Sequence, residues 1–326
     1  MMRGRGSEQL RIADFGLRIG SSTVESAIHN PQSEIGGGVA RVLAVFSGGG
    51  AKSLAHAGAW KALTEAGLTP SHLVGTSMGA VIAAACASGA TYDELVIAAR
   101  SLSQRDVARV DLLALAQGAF ASHLLQPAGL RRVIERFVPA TRFDQLRIPL
   151  TVTTTDLNSG DLVLFGDVGA QHAAPLHDAV PLHDVLYASC ALPLYFPPAV
   201  INGRRLADGG LRAVLALEVA RRIPSDLVVA VDVGPGFDEP PLPSSTVLSR
   251  LLPPRLIRAH GEAIRIMMAV QTELAIATWP KEAPRLVVIR AVAEREATFA
   301  LGAGERFLQA GYDATKRALG DRFGRG

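Results

Sequence analysis

Serine, aspartate and clustered glycines are the residues of this chain whose order could carry chemistry. Gly75-Thr76-Ser77-Met78-Gly79 fits the pattern G-x-S-x-G. Between a strand and a helix, that pattern lifts a serine hydroxyl out of a sharp turn, where it can act as a nucleophile. Flanking glycines permit the strained turn without side-chain clashes, and the N-terminus of the next helix favours negative charge developing beside it. Upstream, Ser47-Gly48-Gly49-Gly50-Ala51-Lys52 presents consecutive backbone N–H groups, a loop that can approach an anion closely. In acyl transfer such a loop is where an oxyanion hole is built, and removing one donor costs roughly 3–4 kcal/mol of barrier stabilisation. A nucleotide-binding loop, suggested by Lys52-Ser53, would need glycine at 46 and 51, where this chain has Phe46 and Ala51. Taken singly, the two segments also fit a serine-capped turn and a structural glycine turn.

The surrounding pattern supplies the elements that would position these residues. An apolar run at 42–46 reads as a buried parallel strand, 54–66 as a helix stopped by Gly67 and Pro70, 72–75 as a second strand, and 78–88 as a buried helix. Helices are expected at 92–103, 126–137, 182–188, 211–223, 256–278 and 304–319, with strands at 150–155, 162–165, 227–233 and 285–290. This alternation indicates an α/β fold with a parallel sheet. Residues 1–40 read as a flexible leader, 41–320 as one domain with its core at 41–233, and 234–254 as a proline-rich loop before a C-terminal helix–strand–helix at 255–320.

Asp208-Gly209-Gly210 follows Ala188-Ser189-Cys190-Ala191-Leu192-Pro193-Leu194-Tyr195-Phe196-Pro197-Pro198. With the glycine loop and the serine motif, this order resembles the patatin-like phospholipase family, from about Arg41 to Val233 with an echo at 305–312. The resemblance implies a three-layer α/β/α fold with a mostly parallel central sheet. It also implies a serine–aspartate dyad, in which Ser77 attacks an ester carbonyl and Asp208 takes its proton. Gly48, Gly49, Gly50 and Lys52 fall on the family's oxyanion loop, with the N–H of Met78 as a further donor. The implied substrate is a fatty-acyl ester of a phospholipid, lysophospholipid or neutral lipid, cleaved through an acyl-enzyme without metal or organic cofactor. This chain departs from the family pattern at Ser53, usually glycine. It departs again after D-G-G, where Arg212-Ala213-Val214 stands in place of the usual asparagine and proline.

Composition narrows the field further. The chain of 326 residues is 48% hydrophobic and 19% charged, enough to bury a large core. A net charge of +3, four lysines and few aromatics argue against nucleic acid, while leaving room for peripheral contact with an anionic membrane. Two cysteines, Cys86 and Cys190, suit core packing in a reducing, cytoplasmic setting rather than a disulfide framework. A Ser–His–Asp triad would require His260, which falls on a predicted helix, and His56 is expected to pack rather than react. His172, His177, Asp178, His183 and Asp184 fit no metal-ligand spacing. The rival class is a lipid-binding or regulatory protein on the same scaffold without catalysis, and apolar segments at 112–120 and 264–276 could line an acyl pocket or touch a membrane.

Overall fold

In the computed structural model, residues 41–102, 109, 111–112, 123–167, 180–235, 254–292 and 301–323 are described. The proposed leader and most of the proline-rich loop lie outside them.

The apolar run Val42–Phe46 forms β1, and all five of its residues are buried. Burial of both faces is visible in how its side chains divide. Val42, Ala44 and Phe46 join one core cluster, while Leu43 and Val45 join the other. β1 passes through a 3-10 turn at Gly50–Leu54 into helix α1 at Ala55–Glu65. β2 at His72–Thr76 then leads directly into α2 at Met78–Ala87. Next come α3 (Tyr92–Arg100), α4 (Pro127–Phe137), β3 (Leu150–Asp156), β4 (Leu162–Gly166) and α5 (Leu182–Cys190). β5 (Ala199–Ile201), β6 (Arg204–Asp208), α6 (Gly210–Ala213), α7 (Leu217–Ala220) and β7 (Leu227–Asp232) follow. The described chain ends with α8 (Pro254–Ala277), β8 (Arg285–Arg290) and α9 (Gly304–Phe323).

The strands make one eight-stranded sheet in the order β5-β6-β3-β2-β1-β7-β8, with β4 beside β3. The run from β3 through β8 is parallel, and β4, β5 and β6 enter antiparallel. Helices flank both faces. One core contains side chains of α1, α2, α4, α5 and α9, and the other those of α6, α7 and the end of α8. The mostly parallel, layered α/β architecture implied by the sequence is therefore present.

Two expectations change. The hairpin β5–β6 was not anticipated, although Asn202-Gly203 is a hairpin turn signal; both residues sit at positive φ, 50° and 75°. The single helix expected over 211–223 is instead two short pieces, α6 and α7. The reason is tertiary competition for carbonyls. Ala213 O accepts from the Thr76 hydroxyl at 3.0 Å and Val214 O from the Gly48 N–H at 2.9 Å, so neither is free to continue a helical ladder.

Helix α9 lies across α1 with backbone nearly in contact. A methyl group on Gly58 would stand 1.9 Å from Leu308 O, and one on Gly311 would stand 1.9 Å from Ala55 O. Helix propensity alone would make Gly→Ala favourable by about 1 kcal/mol. At Gly311 the sign should reverse, because overpacking costs about 1–3 kcal/mol. Gly320, where an added methyl meets nothing within 4 Å, should follow propensity. Urea denaturation is expected to show Gly311→Ala destabilised and Gly320→Ala unchanged or stabilised.

Candidate active site

β3 explains how residues 131 positions apart come to touch. One edge of β3 is taken by β4 along Thr151–Thr155. The other edge is shared. Leu150 through Thr153 pair with parallel β2, and Thr154 through Asp156 pair with antiparallel β6. The C-terminal ends of β2 and β6 thus meet head to head, at Thr76↔Thr153 and Asp208↔Thr154. Ser77 and Asp208 stand at that junction, and Ser77 Oγ donates to Asp208 Oδ2 at 2.8 Å.

Ser77 holds φ 54°, ψ −135° at the N-cap of α2, a left-handed conformation costly for a residue with a side chain. Several contacts hold it there. Its N–H donates to Ser189 Oγ at 2.9 Å, and its carbonyl accepts from Ala80 and Val81 N–H. The flanking glycines allow α2 to sit close: a Cβ on Gly79 would be 2.3 Å from Ser47 O, and one on Gly75 2.4 Å from Ala80 Cα. Below the turn, Thr76 Oγ1 and Thr153 Oγ1 share a 2.8 Å hydrogen bond.

Asp208 is buried. Its Oδ1 accepts from Gly210 N–H at 2.7 Å, and its carbonyl accepts from Thr155 Oγ1 at 2.9 Å. Gly209 N–H donates to Ser189 O at 3.4 Å. Burial pushes the Asp208 carboxyl up from 3.8 to about 6, against the opposing pull of the Gly210 N–H and the Ser77 hydroxyl. Both carboxylate oxygens are engaged, and no histidine among the described residues bonds to either.

The glycine loop lies against Ser77, since a Cβ on Gly48 would be 3.2 Å from Ser77 Cβ. Its four expected donors do not behave alike. Gly48 N–H is spent on Val214 O, and the buried Lys52 turns its amine to Gly234 O at 3.4 Å. The N–H groups of Gly49, Gly50 and Met78 have no hydrogen-bond partner among the described residues, and all three residues are partly exposed. Behind the loop, Gly234 N–H donates to Asp232 Oδ1 at 2.9 Å and Val233 N–H to Ser47 Oγ at 2.8 Å. Burial raises the Asp232 carboxyl, while Gly234 N–H, Arg290 and Lys52 draw it down. Lys52 and Asp232 therefore pin the loop to the end of β7.

His56 is buried and stacked on Phe46 at 4.6 Å, with Nε2 2.8 Å from Ser47 O. Burial lowers its pKa to about 4, so it packs as a neutral ring under the loop. His260 lies on α8. His183 bonds Val138 O at 2.9 Å and Asp184 pairs with Arg131 at 2.6 Å, whereas His172, His177 and Asp178 lie outside the described residues. Both cysteines are free and buried. Cys190 was read only as core, yet it adjoins the dyad: burial and the Asp208 charge raise its thiol pKa, and the Ser77 hydroxyl opposes the rise. Ser189, whose hydroxyl accepts from the Ser77 N–H, is likewise absent from the residues picked out in the sequence. Both residues fall in the motif stretch preceding Asp208, which was the available signal.

A folded-state pKa above the unfolded one means the native state binds the Asp208 proton more tightly. That contribution to stability is complete below about pH 4 and is lost as pH rises through about 6. Asp208→Asn should thus be more stable than the native chain near pH 8, by up to roughly 3 kcal/mol. The gap should close near pH 4, and urea titrations at the two pH values test this. A gap of the same size at both would contradict it.

The Patatin family profile, described as patatin-like phospholipase, matches residues 44–221. An uncharacterized NTE family protein of Mycobacterium tuberculosis (strain ATCC 25618 / H37Rv) is 31% identical over 217 residues, 65% of this chain and 56% of that protein. The chain thus spans about half the length of this relative and a third of another mycobacterial NTE family protein. Patatin-like phospholipase domain-containing protein 7 of Rattus norvegicus is 28% identical over 192 residues, 58% of this chain and 13% of that protein. Among solved structures, VipD from Legionella pneumophila aligns over 87% of this chain and 67% of its own, at 15% identity and a TM-score of 0.44. Matched over more than half its length, from the first strand to beyond the aspartate loop, the chain belongs to the patatin-like phospholipase family.

Proposed function

We propose that this protein is a lipid acyl-hydrolase that works by a Ser77–Asp208 dyad through an acyl-enzyme. The observation that carries the reading is the 2.8 Å hydrogen bond from a strained, partly exposed serine hydroxyl to a buried carboxylate. Family membership supports a lipid ester as substrate.

In this mechanism Ser77 Oγ attacks the ester carbonyl carbon while its proton passes to Asp208 Oδ2. The carbonyl oxygen becomes an oxyanion beside the free N–H groups of Gly49, Gly50 and Met78, at the N-terminus of α2. Collapse breaks the ester C–O bond, and Asp208 returns the proton to the departing alcohol. Water then attacks the acyl-serine, giving its proton to Asp208, and the fatty acid leaves as Ser77 regains a proton. A base with a pKa about 6 suits this exchange, being ionised at neutral pH yet basic enough to accept a proton.

Two measurements test the reading. A panel of phospholipids, lysophospholipids and short-chain nitrophenyl esters should be hydrolysed by the native chain and not by Ser77→Ala, with the acyl group found on Ser77 by mass spectrometry. Absence of hydrolysis across the panel would favour the lipid-binding alternative. Separately, kcat/KM should rise with pH through about 6 and then level, since only ionised Asp208 accepts the proton. If Asp208→Asn stays active while His260→Ala is dead, the base is misassigned.

A further inference from the structure

Helix α8 has two different faces. Inward, Ala269 and Thr272 are buried, a methyl on Gly210 would stand 3.0 Å from Met268 Cε, and Gln271 Nε2 donates to Leu211 O at 2.8 Å. These contacts grip the segment that begins just after Asp208. Outward, Ile266, Val270 and Leu274 are 47%, 50% and 60% exposed. Their four-residue spacing aligns them in one ridge along the helix. A single exposed aliphatic residue is ordinary, whereas an ordered row of three invites a partner.

Beside Leu274 the ridge borders a groove of about 310 Å³ between α8 and the segment carrying α6 and α7. Leu217, Leu274 and Trp279 give it apolar walls, and Arg212 and Arg221 stand exposed along it. Glu218 is the one acid lining the groove, which leaves its balance cationic.

We propose that this ridge and its arginine-rimmed groove dock the protein on a phospholipid surface. Aliphatic side chains in a row suit the acyl boundary of a bilayer, and arginines beside them suit lipid phosphates, as in helices that lie in the interface plane. A second copy of the chain fits less well, because three half-exposed side chains fall far short of the roughly 800 Å² per partner of a stable protein interface. Among the described residues no helix is long and apolar enough to cross a membrane, so the contact is peripheral. The inward face of the same helix contacts the segment just after Asp208 through Met268 and Gln271. The choice of occupant rests on the lipid-hydrolase reading above.

Co-sedimentation with phosphatidylcholine vesicles, with and without phosphatidylglycerol, tests the proposal using the catalytically inert Ser77→Ala chain. That chain should bind both vesicle types. Adding Ile266→Gln, Val270→Gln and Leu274→Gln together should weaken binding by about tenfold or more, and adding Arg212→Gln with Arg221→Gln should remove the preference for phosphatidylglycerol. With Ser77 intact, the triple variant should keep its rate on a soluble short-chain ester and lose it on vesicle lipid. Equal binding by the triple variant, or no binding by the parent, would overturn the proposal. So would a dimer that the triple variant dissolves while vesicle binding persists. Hydrolysis without vesicle binding would sink docking alone, and vesicle binding without hydrolysis would sink the catalytic reading alone.

Discussion

The site depends on one geometric constraint at β3. A strand has two hydrogen-bonding edges, and β3 gives one of them wholly to β4 and divides the other between β2 and β6. Because β2 runs parallel to β3 and β6 antiparallel, their C-terminal ends point at each other. The serine turn leaves one end and the aspartate loop leaves the other, so sheet pairing alone delivers the hydroxyl to the carboxylate. Register matters as much as topology. Successive side chains alternate faces, so a one-residue slip of β6 would turn the Asp208 side chain away from Ser77. Hydrogen bonds from Asp208 N–H to Ala191 O and from the Thr155 hydroxyl to Asp208 O oppose such a slip.

Ser77 and Asp208 are both held in states that they would not adopt alone. Ser77 keeps a left-handed backbone, and Asp208 keeps a carboxylate out of water. Each cost is offset by specific hydrogen bonds from neighbouring elements, chiefly Ser189 for the serine and Gly210 for the aspartate. The glycine loop is fixed in the same manner, with His56 beneath it and Lys52 and Asp232 behind it. A site of this kind is preorganised by its second layer of contacts, and little is left to the mobility of the reacting groups.

Much of this was legible in the chain. The strands at β1, β2, β3 and β8 and the helices α2 and α4 fall where the sequence pattern puts them, most plainly β1, where burial on both faces leaves an unbroken hydrophobic run. The serine turn was readable from glycine spacing, and Asp208 from the resemblance to the patatin-like family. What escaped notice depended on partners distant in sequence. The break near Val214 comes from Gly48 taking its carbonyl, which no local propensity encodes. The direction of Lys52 is set by Asp232 and Gly234, some 180 residues away by hydrogen-bonded pairing. The hairpin at Asn202-Gly203 is the exception, a local signal present in the sequence and overlooked.

The separation of Ser77 from Asp208 also has a consequence for biosynthesis. By the time the ribosome has released β3, the chain holds β1, β2, α2 and the complete glycine loop, yet the edge of β3 beyond Thr153 has no strand upon it. The Ser77 turn at that stage lacks both the Ser189 acceptor and the Asp208 carboxylate, and closing the 131-residue loop to Asp208 carries an entropic cost that only the finished sheet offsets. A nascent or truncated chain ending before the β5–β6 hairpin therefore carries Ser77 without the carboxylate that it bonds. On the proposed mechanism hydrolysis has to wait for that hairpin, since in chain order β6 is the last strand to pair with β3.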